Sequence, residues 1–425
     1  MTRRLISFVK NNFSDLLVTF IIVYFSNDTL LFGTNESRIM FWIHIGVLGI
    51  LGLYLFLTSK VMDRRHLLLL LFFAVLILLS LIANLDLSIK YIYEIIVITI
   101  SLLLIKRMMV RQFSRCFCAI FEFLSFFSIL MFIIILTIPG FVSFLPSITN
   151  ESGIVYKNAL FCVIEGIGES GIPHMYGIFR EPGVFAVFIA VAFLLEILFA
   201  DEISYRRIII FSVALLITFS TAGYLLLLML IVLLMVSVFR RSRVNKRDYK
   251  RFLVFVFIAG FLAVAFIGFI GFSRINEVVF NKLRVENSSF NSRVGSIFAN
   301  IDIFLTNPFT GRGFTFVEKN FSIFAQSHGY SKAHQTNTFL KILAVHGAVY
   351  FLVVAYSLLK FFVRNSKDVL SGIFGFLVFL IAFSNEDLMV NSLVYVIICY
   401  GFFSVSKAKN IIAEKEKRTL TQLSY

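Results

Sequence analysis

The segment SRVGSIFANIDIFLTNPFTGRG, residues 292–313, lies inside a polar interval, Ser273–Asn337, of a sequence that is otherwise strongly apolar. The interval contains four arginines and two of the six histidines, and long apolar runs flank it on both sides. It interrupts the series of apolar runs and therefore separates one group of predicted helices from the next. A long polar interval in such a chain is expected to contribute to a functional site.

The composition of the remaining sequence is that of a membrane protein. Hydrophobic residues make up 59% of the 425 residues, whereas soluble domains average about 45–50%. Apolar runs of about 15 to 23 residues recur along the chain, as membrane-spanning helices require. The predicted fold class is therefore all-α, a polytopic integral membrane protein with about 12 transmembrane helices. The predicted spans lie at about 16–32, 39–58, 67–85, 89–105, 116–138, 183–200, 208–219, 221–239, 252–272, 338–362, 369–383 and 388–405.

The basic residues form short clusters between the apolar runs, a pattern that sets membrane topology and does not indicate a nucleic-acid partner. With 12 spans both termini are cytoplasmic, and 27 of the 39 lysines and arginines lie on the cytoplasmic side. A single span over 208–239 would instead place the basic residues of 240–251 outside, so two spans are favoured. We expect one membrane domain (1–406), a charged cytoplasmic tail (407–425), and two extracytoplasmic loops, the first long loop (about 139–182) and the second long loop (about 273–337).

The first long loop ends in Phe179-Arg180-Glu181-Pro182-Gly183, directly before an apolar run. Pro182 suits the first position of a helix, and Glu181 is favoured at the positive end of the helix dipole. That interpretation is purely structural. The same charges also suit chemistry, because Arg180 can bind a phosphate at a helix N-terminus while Glu181 accepts a proton from a sugar hydroxyl.

The second long loop contains an amphipathic pattern that predicts a helix along the membrane interface, from a cap near Asn291 or Ser292 to Asn307-Pro308. Arg293 would then lie in its first turn, at headgroup depth, where an anionic partner offsets the unfavourable helix dipole. An arginine that reaches ordinary lipid phosphate is the alternative. Glycines on both sides of Arg312 allow close backbone approach to a ligand, although a plain turn has the same composition. The apolar residues at helical spacing are Val294, Ile297, Phe298, Ile301, Phe304 and Leu305.

The second long loop ends with a histidine that is a candidate general base. His334, Asn337 and Lys341 share one face if the following helix begins early. A histidine there titrates near neutral pH and can accept a proton from a hydroxyl. A solvated loop histidine is the alternative, so Glu181 and His334 both remain candidates for the general base.

Two other polar positions receive a structural interpretation. His346 lies two to three turns inside the tenth predicted span and is expected to pack there. Asn385-Glu386-Asp387 precedes the last predicted span and is expected to form a solvated turn.

Three blocks of the sequence resemble the O-antigen polymerase (Wzy) and O-antigen ligase group of bacterial membrane glycosyltransferases. Gly177–Gly183 is similar to the Glu-Pro-Gly signature of surface-polysaccharide polymerases, and Ser292–Gly313 and His334–Gly347 are similar to later blocks. The sequence departs from the family at Thr336-Asn337, where the family has His-Asn, and His334 stands two residues earlier. Arg284 and Gly295 also have an Arg-x10-Gly spacing of a kind described for such polymerases.

The resemblance implies glycosyl transfer between undecaprenyl-pyrophosphate-linked glycans, one donor and one acceptor, at the periplasmic face of the bacterial inner membrane. It implies no cofactor, metal or nucleotide sugar, so fixed arginines would clamp the pyrophosphate leaving group. It also implies membrane lipid and a polysaccharide co-polymerase, which regulates chain length, as partners. The expected catalytic residues are Glu181, Arg293 and His334, and the expected substrate-binding residues are Arg180, Arg284, Arg312 and Asn337.

Three other functions compete with a polymerase. An O-antigen ligase, which transfers polymer to lipid A–core, shares the helices, loops and arginines, and the Arg-Glu-Pro-Gly block favours the polymerase. A flippase or transporter of lipid-linked oligosaccharides needs charged intramembrane residues along a path, for which Glu94 and Glu122 are the main candidates. A structural membrane protein without chemistry leaves the placement of the arginines unexplained.

Overall fold

The computed structural model describes residues 2–26, 28–33, 38–59, 62–149, 155–165, 173–242, 288–330 and 334–403. Within these ranges the chain is mostly helical, as predicted, and the predicted span at 252–272 lies outside them. The helices are α1 (Thr2–Tyr24), α2 (Leu30–Gly33), α3 (Arg38–Thr58), α4 (Arg64–Asn84), α5 (Lys90–Arg107), α6 (Val110–Thr137), α7 (Pro182–Phe199), α8 (Tyr205–Ile217), α9 (Thr221–Ser242), α10 (Ser288–Thr306), α11 (Gly313–Ser327), α12 (Thr338–Asn365), α13 (Val369–Phe383) and α14 (Ser392–Phe403).

Six of the described helices are long and apolar enough to cross a membrane, namely α3, α4, α6, α7, α9 and α12. Three shorter apolar helices belong to α1, α13 and α14. These helices confirm the class, an all-α membrane fold, while the number of 12 spans and their orientation stay predictions.

Helix α7 forms the centre of the described bundle. Of its most apolar stretch, 94% is buried, compared with 28% for α4 and 22% for α3. Helix α7 packs against α6, α8, α9 and α13. The apolar surfaces of α3 and α4 are mostly uncovered, as expected of helices that contact lipid chains. The residues just before α7 are therefore attached to the most enclosed helix of the described structure.

The apolar run Ile208–Phe239 forms two helices, α8 and α9, as predicted. The break contains Phe219, whose φ of 49° is unusual for a residue with a bulky side chain. Its ring is fully buried, with its centroid 6.1 Å from that of Phe132 and 5.6 Å from that of His174. Packing against these two rings therefore holds the turn in its strained conformation.

The first long loop contains structure that the sequence did not predict. A 3-10 helix (Pro139–Phe144) leads into a three-stranded antiparallel sheet in the order β1-β2-β3. The registers pair Ile148 with Tyr156 and Lys157 with Ile164. This small sheet covers the end of the bundle near the start of α7. Its strands are β1 (Ser147–Thr149), β2 (Val155–Asn158) and β3 (Val163–Glu165).

Helix α10 ends at Thr306, as Asn307-Pro308 predicted, but it begins at Ser288 rather than at a cap near Asn291 or Ser292. That part of the prediction was wrong, because Asn291 and Ser292 lie inside the helix. Arg293 is consequently the sixth residue of α10 and not part of its first turn.

The two faces of α10 are arranged as an interfacial helix requires. The buried face carries Ser296, Ala299 and Asn300, and it packs against α11 and α12. Ile297 and Leu305, from the predicted apolar stripe, are 39% and 62% exposed. An outward apolar face suits contact with the membrane interface.

The turn between α10 and α11 fits tightly against α12. Helix α12 is interrupted at Gly347, where φ is 78° and ψ is −178°. The backbone N–H of Ala348 donates to the carbonyl oxygen of Pro308 at 2.8 Å, and that of Arg312 donates to Ala344 at 2.8 Å. A β-carbon on Gly311 would lie 2.3 Å from the carbonyl oxygen of Val345. The close approach that Gly311 and Gly347 permit is therefore one of backbone to backbone.

Candidate active site

Arg180 lies directly before α7 and is held from two sides. Its backbone N–H donates to the carbonyl oxygen of Asp28 at 3.0 Å. Its guanidinium lies 3.5 Å from the Asp28 carboxylate and donates to the carbonyl oxygen of Asp387 at 3.4 Å. The buried Nε of Arg180 has no hydrogen-bond partner among the described residues. A buried N–H without an acceptor is costly, so a ligand acceptor is expected there.

Asp28 is the anchor of this arginine. Its carboxylate also accepts a hydrogen bond from the Asn391 side chain. Burial raises the pKa of Asp28 to about 6, and the positive charge of Arg180 opposes that rise. The ion pair with Arg180 is thus partly offset by the cost of desolvating the carboxylate.

A cavity of about 520 Å³ opens beside Arg180 and lies within the usual size range of small-molecule sites. Three cationic and two acidic side chains contribute to its wall, together with apolar residues of α2, α3, α11 and the loop before α14. The charged side chains are Asp28, Lys90, Arg180, Lys341 and Asp387, and the rings that carry polar atoms are His44 and Tyr93.

The two lysines of the cavity are paired with acids. The ammonium of Lys341 lies 2.6 Å from the Asp387 carboxylate and 4.0 Å from that of Glu318. Lys90 forms an ion pair with the same Glu318. Glu318 is 40% exposed, so an anionic ligand that enters the cavity can displace this exposed acid at small cost.

Glu386 is buried beside the start of α7, and the prediction that it belongs to a solvated turn was wrong. Only 6% of the residue is exposed. Its Oε1 lies 2.0 Å from the position that a β-carbon on Gly183 would occupy. Burial raises the pKa of Glu386 to about 8, the negative charge of Glu181 adds to the rise, and Arg180 and Arg293 oppose it.

Arg293 of α10 belongs to the same group of charges. Its Nη1 donates to Thr221 Oγ1, the first residue of α9, at 3.3 Å. Its charge acts on Glu386 together with the charges of Arg180 and Glu181. Charged residues of both long loops therefore lie close to Glu386, although Arg293 does not line the cavity beside Arg180.

Glu181 is the N-cap residue of α7, and Pro182 is the first residue of that helix, as predicted. The Glu181 side chain makes no capping hydrogen bond and is 53% exposed. One of its oxygens lies 3.9 Å from Arg180 Nη1. This exposed carboxylate therefore lies beside the guanidinium, although it does not itself line the cavity next to Arg180.

Arg312 lies in a different groove from Arg180. Its Nε donates to Thr306 Oγ1 at 2.7 Å, and its guanidinium lies 4.9 Å from the centroid of the Phe316 ring. Arg312 does not line the cavity beside Arg180, whereas its neighbour Phe314 does. The first turn of α11 thus separates Arg312 from the cavity beside Arg180, although both arginines were expected to bind the substrate.

The residues before α12 are arranged differently from the expectation. The helix begins at Thr338, so His334 is not on its face, and His334 is exposed. Asn337 is buried, and its side chain accepts the backbone N–H of Leu340 at 3.0 Å as the helix cap. Arg284 lies outside the described residues.

The bundle contains a buried polar network that the sequence did not predict. His346 Nε2 lies 3.0 Å from Glu94 Oε2, and the Tyr350 hydroxyl donates to the other Glu94 oxygen at 2.7 Å. Tyr395 also donates to that oxygen. The Glu94 and His346 side chains are both 0% exposed, so His346 packs inside the bundle as predicted and is paired there. The polar partners come from α5, α12 and α14, and no sequence spacing links them.

The second acid considered for a transport path, Glu122, is also engaged. Its carboxylate pairs with Arg206 and lies 2.8 Å from Arg207 Nε. Arg207 also contacts Glu196 at 3.0 Å. Glu122 therefore ties α6 to α8, and Arg207 links α8 to α7 through Glu196.

These features define a helical membrane protein in which two long loops bring arginines and carboxylates together at the ends of several helices. Residues 208–355 match the family model described as O-antigen ligase (Wzy_C). This part of the chain is therefore similar to that family, in agreement with the resemblance of the sequence to the O-antigen polymerase and ligase group. No curated protein and no solved structure matches it. The matched region includes Arg293 and Lys341 but ends before Glu386 and begins after Arg180.

Proposed function

We propose that this chain is a surface-polysaccharide polymerase that joins undecaprenyl-pyrophosphate-linked repeat units at the periplasmic face of the inner membrane. The proposal includes 12 spans with both termini in the cytoplasm. The observation that carries it is the meeting of Arg180 and Glu181, from the first long loop, with Arg293, from α10, around the buried Glu386. The match of residues 208–355 to the O-antigen ligase family model supports a glycosyl transfer of this kind.

The proposed reaction uses these charges in a simple way. A hydroxyl oxygen of the acceptor glycan attacks the anomeric carbon of the donor glycan. The carbon–oxygen bond to pyrophosphate breaks, and its electron pair leaves with the lipid pyrophosphate. Arg180 stabilises this developing negative charge, because its Nε lacks an acceptor and its guanidinium borders the cavity. Lys341 and Lys90 also line this cavity and add positive charge to it.

The proton of the attacking hydroxyl passes to Glu181 in this proposal. Glu181 is the exposed carboxylate beside Arg180, whereas His334 is an exposed residue of the segment before α12. Glu386, with its raised pKa, lies next to Glu181 and is predominantly protonated near neutral pH. The protonated Glu386 therefore does not compete with Glu181 for the proton of the hydroxyl.

An O-antigen ligase is the second candidate, because the matching family model carries that description. The two enzymes share the donor and differ in the acceptor, which is lipid A–core for the ligase. The Arg-Glu-Pro-Gly block before α7 favours the polymerase. Both acids that a transport path would use, Glu94 and Glu122, are held by hydrogen-bond or ion-pair partners.

The decisive experiment is deletion of the gene, followed by complementation with the wild-type chain, Arg293→Ala or the control Arg111→Ala. Arg111 is 70% exposed and pairs with Asp201, far from the residues of the site in the sequence and in its contacts. A polymerase predicts lipid A–core with a single repeat unit and no ladder in the deletion strain. A ligase predicts lipid A–core without repeats and polymer retained on the lipid carrier. An unchanged ladder after deletion would refute both functions.

A further inference from the structure

A second groove lies between the α4–α5 connection and the first turns of α11. Its volume is about 490 Å³, and its wall includes Arg312 and Lys319. We propose that this groove binds the phosphate of an anionic glycerophospholipid. The inference does not depend on the proposed function, since the first turn of α11 separates the groove from the cavity beside Arg180.

The groove presents two cations with unused donors. Arg312 donates only through Nε, to Thr306, and its two terminal amino groups have no hydrogen-bond partner among the described residues. The ammonium of Lys319, two helical turns along α11, has no ion pair or hydrogen bond in the described part of the chain. The guanidinium can bind two phosphate oxygens at once, and the ammonium can bind a third.

The acidic residue of the groove, Asp86, already accepts hydrogen bonds from four donors of its own. Its oxygens accept the backbone N–H of Thr315 at 3.0 Å and the hydroxyl of Thr315 at 2.6 Å. The backbone N–H of Ser88 and the hydroxyl of Tyr91 also donate to it. Asp86 thus fixes the first turn of α11, which lies between Arg312 and Lys319. Its single negative charge is outnumbered by the two cations, so the groove keeps a net positive charge.

The position of the groove identifies a lipid as its occupant. It lies at the end of α4, whose apolar surface is mostly uncovered. Leu85 and Leu87, in the wall of the groove, are 86% and 90% exposed. In a membrane protein such residues contact acyl chains, and the cations directly beside them lie where headgroup phosphates are. A free phosphate ion would gain nothing from these leucines.

The test uses the purified full-length chain in detergent, titrated with phosphatidylglycerol or phosphatidylcholine and observed by native mass spectrometry. Lys319→Gln breaks no described contact, so it tests the groove without a change of fold. A cation near a membrane phosphate contributes about 1 kcal/mol, so we expect roughly fivefold weaker binding of the first phosphatidylglycerol. The double variant Arg312→Gln/Lys319→Gln is expected to bind it at least about tenfold more weakly.

The control is the pair Arg111→Gln/Arg115→Gln, which removes two exposed charges from the start of α6. It is expected to retain the first phosphatidylglycerol with wild-type affinity. Wild-type affinity of Lys319→Gln and of the double variant would overturn the proposal. Equal binding of phosphatidylcholine and phosphatidylglycerol by the wild-type chain would overturn it as well. Neither result depends on glycosyl transfer, so the failure of this inference and of the proposed function are distinguishable.

Discussion

The carboxylate of Glu386 occupies the space beside Gly183 that any other residue would fill with its β-carbon. Oε1 of Glu386 lies 2.0 Å from that β-carbon position. Gly183 follows Glu181 and Pro182 at the start of α7, and Glu386 lies in the connection between α13 and α14. The glycine of the Glu-Pro-Gly block therefore has a physical reason, which is room for a buried acid next to Glu181.

The contact predicts that Gly183→Ala is damaging. The new methyl group overlaps Glu386, so either the acid or the start of α7 must move. We expect a loss of stability of about 1–3 kcal/mol, as for other overpacked sites. A thermal melt of the purified chain measures the loss, and the polysaccharide ladder reports the displaced charges.

The control and the rescue separate this overlap from a general effect of alanine. At Gly49, in α3, a β-carbon would meet no atom within 4 Å, so Gly49→Ala is expected to be nearly neutral. The double variant Gly183→Ala/Glu386→Ala removes the overlapping group and should recover most of the lost stability. Equal melting temperatures of Gly183→Ala and Gly49→Ala would contradict the prediction.

Glu386 also predicts a pH dependence of stability. Its pKa is about 8 in the folded chain, compared with an ordinary value of 4.5, so the folded state binds the proton more tightly. The corresponding stabilisation is complete below pH 4.5 and is lost as the pH rises through about 8. Glu386→Gln cannot lose this proton, so its melting temperature should fall less than that of the wild type between pH 6 and pH 9. A parallel decline in both proteins would show that Glu386 is not buried as described.

The sequence predicted helix ends best where proline defines them. Pro182 begins α7, and Asn307-Pro308 follows the end of α10. It failed at the start of α10, because Asn291 and Ser292 are good capping residues that here lie within a helix packed on α11 and α12. The strands of the first long loop are three or four residues long, too short to give a recognisable alternation.

The site was predicted in part for a similar reason. Arg180, Glu181 and Arg293 stand out as charges next to apolar runs, and the structure brings them together. Glu386 stands in a run of polar residues that looks like an ordinary turn, and its burial depends on Gly183, about 200 positions away in the chain. Arg312 looked equivalent to Arg293, but the Asp86 side chain holds the first turn of α11 so that Arg312 faces another groove.

The rate of glycosyl transfer is expected to depend strongly on the guanidinium geometry of Arg180, the arginine before α7. Arg180→Lys keeps the positive charge near Asp28 but removes the planar donors, including the Nε that lacks a partner. We expect glycosyl transfer to fall by about 10²-fold, as when a fixed donor to a developing charge is lost. Transfer between purified lipid-linked glycans measures the rate.

The control for folding in this experiment also replaces Asp28, the acid that pairs with Arg180. Removing the charge of Arg180 leaves Asp28 buried and unpaired, which destabilises a fold strongly. The pair Asp28→Asn/Arg180→Gln avoids that charge and should melt closer to the wild type than Arg180→Gln alone. Full transfer activity in Arg180→Lys would exclude a role for the forked donors.

Replacement of Arg293, which lies in α10 within the second long loop, is also expected to slow glycosyl transfer. Arg293→Ala removes a charge that acts on Glu386 and a donor to Thr221. We expect a fall in transfer of about 10²-fold and partial recovery in Arg293→Lys, which restores the charge alone. Full activity of Arg293→Ala in the same transfer assay would remove this arginine from the mechanism.

The interruption of α12 predicts that Gly347 cannot be replaced. Its φ of 78° with ψ near 180° is a conformation that residues with a β-carbon rarely adopt. A β-carbon there would also lie 2.3 Å from the carbonyl oxygen of Phe309. The strain and the overlap together should destabilise Gly347→Ala by at least about 2 kcal/mol, seen as a lower melting temperature. Gly46→Ala, in α3, meets no atom within 4 Å and is the matched control. Because the turn at Phe309 leads into Arg312, Gly347→Ala should also weaken the binding of phosphatidylglycerol, whereas Gly46→Ala should leave it unchanged.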